Sequence, residues 1–221
     1  MARMAPPANL RESVIAQLRS QIVTGAVAPG KIYSVPSLAS ELGISTTPVR
    51  EALLELSRAG LVEPMRNRGF RVQEITEQDL ENHFDVRVML ESGALVALAR
   101  KGLTDTAPLA ALADDVARAV RDENVGEYIE TDRRFHEALV ARAGNPLLTR
   151  MIMDLRADMR LYGINSAEGR ERQRASVDEH YQMIELAAQR RCDAIAELIT
   201  RHIQSWKPLF ATALQRGPAD C

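Results

Sequence analysis

Between Ser37 and Glu74 the chain carries a run of stops that leaves little choice of local fold. Ser37–Leu42 has the length of a short helix, and Gly43 is placed to end it. Helices commonly close on a residue in the left-handed region, where glycine meets no steric penalty. ISTTPVREALLELSRAGLV follows. Ser45 or Thr46 caps a new helix there, and Pro48 suits its first turn. Val49, Leu53, Leu54 and Leu56 face inward up to about Ala59, and Gly60 is the stop. Two short helices across a glycine turn make a helix-turn-helix. Next, LVEPMRNRGFRVQEI predicts two short strands, Leu61–Met65 and Phe70–Glu74. The turn Arg66-Asn67-Arg68-Gly69 joins them, since Asn and Gly tolerate the positive φ of a tight hairpin. A hairpin straight after the second helix is a wing. Upstream, Leu10, Val14, Ile15, Leu18, Ile22 and Val23 recur in steps of three and four. They predict an amphipathic helix from a cap at Asn9 to about Thr24, stopped by Gly25 and Pro29-Gly30.

From Thr76 onward the pattern is helical throughout. Helices are expected at about 77–101, 105–122, 126–143, 146–165, 170–189 and 191–215. Breaks fall at Gly102, Gly126, Gly144-Asn145-Pro146 and Gly169, and Pro208 kinks or shortens the last helix. The fold class is therefore mainly α: a winged helix-turn-helix over residues 1–75 and an all-helical bundle of six to seven helices over 76–221. The first eight residues read as a loose terminus, without the apolar stretch of a secretory signal. No apolar run approaches the roughly 18–20 residues needed to cross a bilayer. Two cysteines, Cys192 and Cys221, argue against a disulfide framework and fit a reducing cytoplasm.

The DNA-facing candidates follow from the motif. The second helix of a helix-turn-helix enters the major groove with its N-terminal residues toward base edges. Here those are Ser45, Thr46, Thr47 and Arg50, and the guanidinium fork of Arg50 matches guanine or a phosphate. Arg66 and Arg68 at the wing tip reach phosphates or an adjacent minor groove, and Ser34 is a weaker phosphate candidate. Charge divides in the same sense. Residues 1–75 hold 9 Lys/Arg against 6 Asp/Glu, while the rest hold 19 against 24. The difference is small and would decide nothing alone.

STTPVREALLELSRAGLVEPMRNRGFRV resembles the signature of the GntR family, whose usual form begins SRTPVREAL and ends GF-x-V. The likeness spans residues 9–75 in order. Thr46 stands where the family usually has Arg, and Val35-Pro36 replace a charged stretch ending in Arg. Thr47, Arg50 and Gly69 keep the pattern. The resemblance implies a homodimeric DNA-binding regulator on a pseudo-palindromic operator, commonly a repressor, but not the family's usual operator sequence.

Asp132 and His136 stand four apart on one expected helix, so both side chains lie on one face about a turn apart. His180 and His202 lie on two later helices among apolar neighbours. A bundle brings such inward side chains together, and one Asp with three His suits Zn, Mn or Ni. An inward histidine also serves as a hydrogen-bonded core residue, and spacing leaves both roles open. DRRFHEAL, EHYQMIELA and RHIQSW resemble the metal-binding version of the FCD effector domain that follows the GntR reader in one subgroup. That resemblance implies a divalent ion at Asp132, His136, His180 and His202, with a small carboxylate effector bound beside it. It also points to Arg87, within an apolar run, for the carboxylate. A buried Arg needs an anion, supplied by Glu91 one turn later or by a ligand; a surface Arg87–Glu91 pair is the alternative. Arg160, Tyr162 and Asn165, at the expected end of the fourth bundle helix, are lesser pocket candidates. His83 falls outside the pattern.

The sequence thus predicts a ligand-controlled regulator without enzymatic activity. Two other readings use the same residues: a regulator in which the ion itself is the signal, and a metalloenzyme with a DNA-binding domain attached. Against the enzyme, there is no HExxH and no carboxylate clearly placed as a general base.

Overall fold

The computed structural model describes the backbone of residues 7–216 and the side chains of residues 10–215. Residues 1–6 of the expected loose start, and Cys221, lie outside the described residues. The chain divides into two compact units. One gathers the residues up to Thr76 with Arg160–Tyr162 and Arg216, and the other gathers Glu77–Met159 and Gly163–Gln215.

The first unit contains α1 (Pro7–Val23), β1 (Ile32–Tyr33), α2 (Val35–Leu42), α3 (Thr46–Arg58), β2 (Val62–Met65) and β3 (Gly69–Val72). Helix α1 begins at Pro7, so Asn9 lies inside it and does not cap it. Proline at or near a helix start loses no hydrogen bond, which lets the helix begin ahead of the Asn. Gly43 closes α2 with φ 65°, its N–H bonding back to the last turn. The core joins Val14, Leu18 and Ile22 of α1 to Val49, Leu53 and Leu56 of α3 and to Phe70 and Val72 of β3, all buried. Leu54, expected inward, is exposed.

The wing is one strand wider than the sequence pattern predicts. β3 pairs antiparallel with β2, Met65 opposite Gly69, and on its other edge with β1, Tyr33 opposite Phe70. A two-residue strand is too short for alternation to reveal. Gly69 carries the consequence. A Cβ there would stand 2.0 Å from the Tyr33 carbonyl oxygen, so only glycine lets the three strands close.

The second unit is a bundle of seven helices among the described residues: α4 (Glu77–Lys101), α5 (Ala107–Arg121), α6 (Val125–Ala141), α7 (Pro146–Asp158), α8 (Ala167–Ala188), α9 (Cys192–Gln204) and α10 (Lys207–Arg216). α4 packs mainly on α9, α5 on α6 and α8, and α8 on α9. The expected helix 146–165 stops seven residues early. Met159 is extended, and the chain turns through Gly163 (φ 78°) to reach α8. The turn is tied down: Gln173 donates to the Ile164 carbonyl at 2.8 Å, and Ser166 accepts from the Gly169 N–H at 3.0 Å. The expected last helix divides at Ser205-Trp206, and Pro208 sits in the first turn of α10, where a missing N–H costs nothing.

Candidate metal centre and DNA-reading face

Helix α6 is capped by Asn124, whose side chain accepts from the Glu127 N–H. Its outer face is stitched by Arg133 to Glu130 and Glu137. Its inner face buries Phe135 and Leu139 and delivers Asp132 and His136 one turn apart. α8 contributes His180 and α9 His202. The four side chains converge in the second unit, each offering a ligand atom within 4.8 Å of the others. The Asp132 Oδ1 lies 3.3 Å from His180 Nε2 and 3.6 Å from His136 Nε2. The three imidazole centroids are 5.0–5.3 Å apart.

The surrounding chemistry decides whether this is a core cluster or a ligand set. All three rings are buried. Both ring nitrogens of His136 and both of His180 are buried without a hydrogen-bond partner. Leaving such atoms unsatisfied costs about 1–3 kcal/mol each, so a core built for stability alone would not hold them this way. A cation accepting the lone pair of one nitrogen on each ring relieves that part of the cost. Bonds of about 2.1 Å in a tetrahedral set place ligand atoms about 3.4 Å apart, close to the 3.3 and 3.6 Å between Asp132 Oδ1 and the two Nε2 atoms. The four residues therefore form a group that can hold a metal ion.

His202 has its other nitrogen occupied. Its Nδ1 lies 2.6 Å from Glu179 Oε2, which also takes a bond from Arg172. Arg172 in turn donates to the His202 carbonyl at 3.2 Å and lies over the Trp206 ring at 5.4 Å. Donation from Nδ1 fixes the tautomer that leaves Nε2 with a lone pair. Burial pushes the His202 imidazole down to about 4, so the ring is neutral at pH 7 and able to coordinate. Burial alone would push the Glu179 carboxyl up, but its bonds from His202 and Arg172 bring it down to about 2.

A chain of alternating charges approaches the cluster from the other side. Arg87 Nε donates to Glu91 Oε1 at 2.7 Å. Arg156 of α7 donates to Glu91 Oε2 and to Asp132 Oδ2, each at 2.8 Å. Glu91 is fully buried, yet Arg156 and Arg87 outweigh that burial and hold it at about 2. Burial would likewise raise Asp132, but His136, His180 and Arg156 hold it well below the usual carboxylate range. Because Arg156 occupies Oδ2, Asp132 presents Oδ1 alone to the three imidazoles. The Arg87–Glu91 pair is thus buried, not at the surface, and the anion that Arg87 meets is Glu91.

Other expected pocket residues lie elsewhere. Arg160 and Tyr162 are buried within the first compact unit, where the Tyr162 ring is 3.0 Å from the position of a Cβ on Gly25. The neighbouring Leu161 N–H bonds to the Val23 carbonyl at 2.6 Å. Asn165 is exposed on the turn before α8. Arg156, Glu179 and Arg172 were invisible to spacing arguments. Each is one charged residue on a charged helix face, and only the fold shows which ones turn inward.

On the first unit, Ser45 precedes α3, and Ser45, Thr46, Thr47 and Arg50 are exposed on its first turns, opposite buried Val49 and Leu53. Neither Ser34 nor Ser45 spends its hydroxyl on a capping bond. Arg66 and Arg68 are exposed at the hairpin tip, where Asn67 adopts φ 61°. Among the described residues Arg11, Arg58 and Arg71 are ion-paired, whereas Arg50, Arg66 and Arg68 have no ion pair.

Residues 10–72 match the bacterial regulatory proteins of the gntR family, and residues 82–205, more than half of the chain, match the FCD domain. This chain belongs to the GntR family. The HTH-type transcriptional regulator McbR of Escherichia coli (strain K12) is 36% identical to it over 162 residues, covering 70% of this chain and 73% of the relative. The solved structure of E. coli McbR/YncC matches with a TM-score of 0.78 at 27% identity, over 95% of this chain and 99% of that one. The HTH-type transcriptional repressor GlaR of the same organism is 26% identical over 206 residues, 89% of this chain and 94% of the relative. This GntR-family protein is a DNA-binding transcription regulator and not an enzyme, which removes the metalloenzyme reading. None of its described helices is long and apolar enough to cross a membrane.

Proposed function

We propose that this regulator is a cytoplasmic homodimeric repressor whose operator affinity is set by a small organic acid bound beside a divalent ion, Zn, Mn or Ni. Residues 1–75 read DNA and residues 76–221 sense the ligand. The observation that carries the reading is the convergence of the buried His136, His180 and His202 rings on Asp132, with His136 Nε2 and His180 Nε2 both directed at its Oδ1. The ion is held by Asp132 Oδ1 and by His136, His180 and His202. When bound it supplies a Lewis-acidic centre with positions left for a ligand oxygen. Arg156 confines Asp132 to one coordinating oxygen, and Glu179 holds the His202 ring. Arg87 and Arg156 place two guanidiniums beside the centre, paired with Glu91 and Asp132, and once the ion shares the Asp132 charge an incoming carboxylate is balanced there.

On DNA, Arg50 with Ser45, Thr46 and Thr47 meets base edges. Arg66, Arg68 and the Ser34 hydroxyl meet phosphates, and Gly69 shapes the wing. Two readers related by a twofold axis fit a pseudo-palindromic operator. The effector acts by binding one arrangement of the dimer more tightly than the other.

The test is a DNA-binding titration, using a duplex selected from a random pool and the metal-loaded full chain against a panel of small carboxylates. At least one carboxylate should weaken operator binding by about tenfold or more, and only with the ion present. Operator affinity that follows ion concentration with no carboxylate present would replace this reading with the ion as signal.

A further inference from the structure

Helix α4 keeps one side for the bundle, where Phe84, Leu95 and Leu98 are buried. Its opposite side carries Asp85, Met89, Ser92, Gly93, Val96 and Arg100, which at 3.6 residues per turn share an arc of about 100°. Met89 is 71% exposed, and the neighbouring Val86 is 41% exposed. A Cβ placed on Gly93 would meet nothing within 4 Å, so the space above the helix is open. Asp85 and Arg100 are both exposed, and neither makes an ion pair or a hydrogen bond among the described residues. α7, which packs against α4, also exposes Leu147 and Met151.

The order of these residues is symmetric in its chemistry. Taking the midpoint between Ser92 and Gly93, Asp85 and Arg100 stand equally far on either side. So do Met89 and Val96, and two small residues occupy the centre. We infer that this face of α4 pairs antiparallel with the same face of a second copy, about a twofold axis passing between Ser92 and Gly93. The inference rests on the dimer reading given above and names its interface.

A twofold axis makes every contact occur twice, residue i on j and j on i. Here it sets Asp85 against the partner's Arg100 at both ends and Met89 against the partner's Val96 inside them. Ser92 and Gly93, both small, let the helix axes approach at the crossing. A parallel pairing would set Asp85 against the partner's Asp85 and is disfavoured by like charge. The apolar contacts supply the association and the charges fix direction and register, as at other interfaces.

Sedimentation of the full chain at low ionic strength tests this, where charge pairs are least screened. Asp85→Arg and Arg100→Asp, at exposed positions, should each keep a native circular dichroism spectrum. Each should raise the dimer dissociation constant by about tenfold, because each creates two like-charge pairs. Combining them reverses both partners and should bring the constant back to within about threefold of wild type. Met89→Asp should also weaken the dimer, again with the fold retained. A dimeric wild type unchanged by the single reversals, or a double reversal no better than either single one, would overturn the α4 interface and leave the dimer reading standing. A wild type that sediments as a monomer both free and on operator DNA would overturn both.

Discussion

Arg156 shows how much of this protein is decided at single residues. It is mostly buried and holds two carboxylates, the fully buried Glu91 on α4 and the partly buried Asp132 on α6. Removing Arg156 leaves Glu91 with Arg87 alone and Asp132 without its guanidinium, and such a loss approaches about 3–5 kcal/mol where the burial is complete. Arg156→Ala should therefore lower the unfolding free energy of the metal-free protein by up to about that amount, read as a lower urea midpoint with the slope of the transition unchanged. An unchanged midpoint would mean that Glu91 and Asp132 relax into water or into protonation. At this scale the sequence is legible where spacing speaks. Asp132 and His136 share a helix face because they are four apart, and apolar neighbours turn His180 and His202 inward. It is silent on Arg156, Glu179 and Arg172, whose partners lie up to 65 residues away in the chain. The Arg87–Glu91 pair was legible, since the two are also four apart within an apolar run, and the structure buries it rather than leaving it at the surface.

At the scale of elements, the DNA-reading unit depends on α3 keeping a buried side and a polar first turn. Val49, Ala52, Leu53 and Leu56 anchor the helix, which frees Arg50 to face outward without an ion pair. Arg50→Ala should weaken binding to the selected operator by about 1–3 kcal/mol, or about fivefold to 150-fold, with dimer and fold unchanged. Wild-type affinity in that variant would take α3 out of the major groove. Helix existence was readable throughout because the apolar period of three to four persists across each segment. Ends were less readable. α7 stops at Asp158 although Met159 and Tyr162 continue its apolar spacing, since both are buried by packing outside that helix. α1 begins ahead of Asn9 because a Pro start competes with an Asn cap. The strand β1 was hidden by its length and shows itself only through Gly69, whose missing Cβ makes room for the Tyr33 carbonyl.

For the whole molecule, a reader of DNA and a bundle with a buried ligand set lie in one chain, and the family assignment says that both serve transcription control. In the function proposed above, an ion orders the bundle core and gives an organic acid something to bind. An ion bound only by the native state raises apparent stability by RT ln(1 + [L]/Kd), about 2.7 kcal/mol at a hundredfold excess over Kd. Metal content and thermal midpoint should therefore move together. The deciding measurement is elemental analysis of the full chain, stripped by chelator and reloaded, alongside a variant carrying His180→Ala and His202→Ala. The account predicts a single ion per wild-type chain with a raised midpoint, and neither ion nor shift in the variant. A wild type that takes up no ion, or a variant that retains it, would contradict the account.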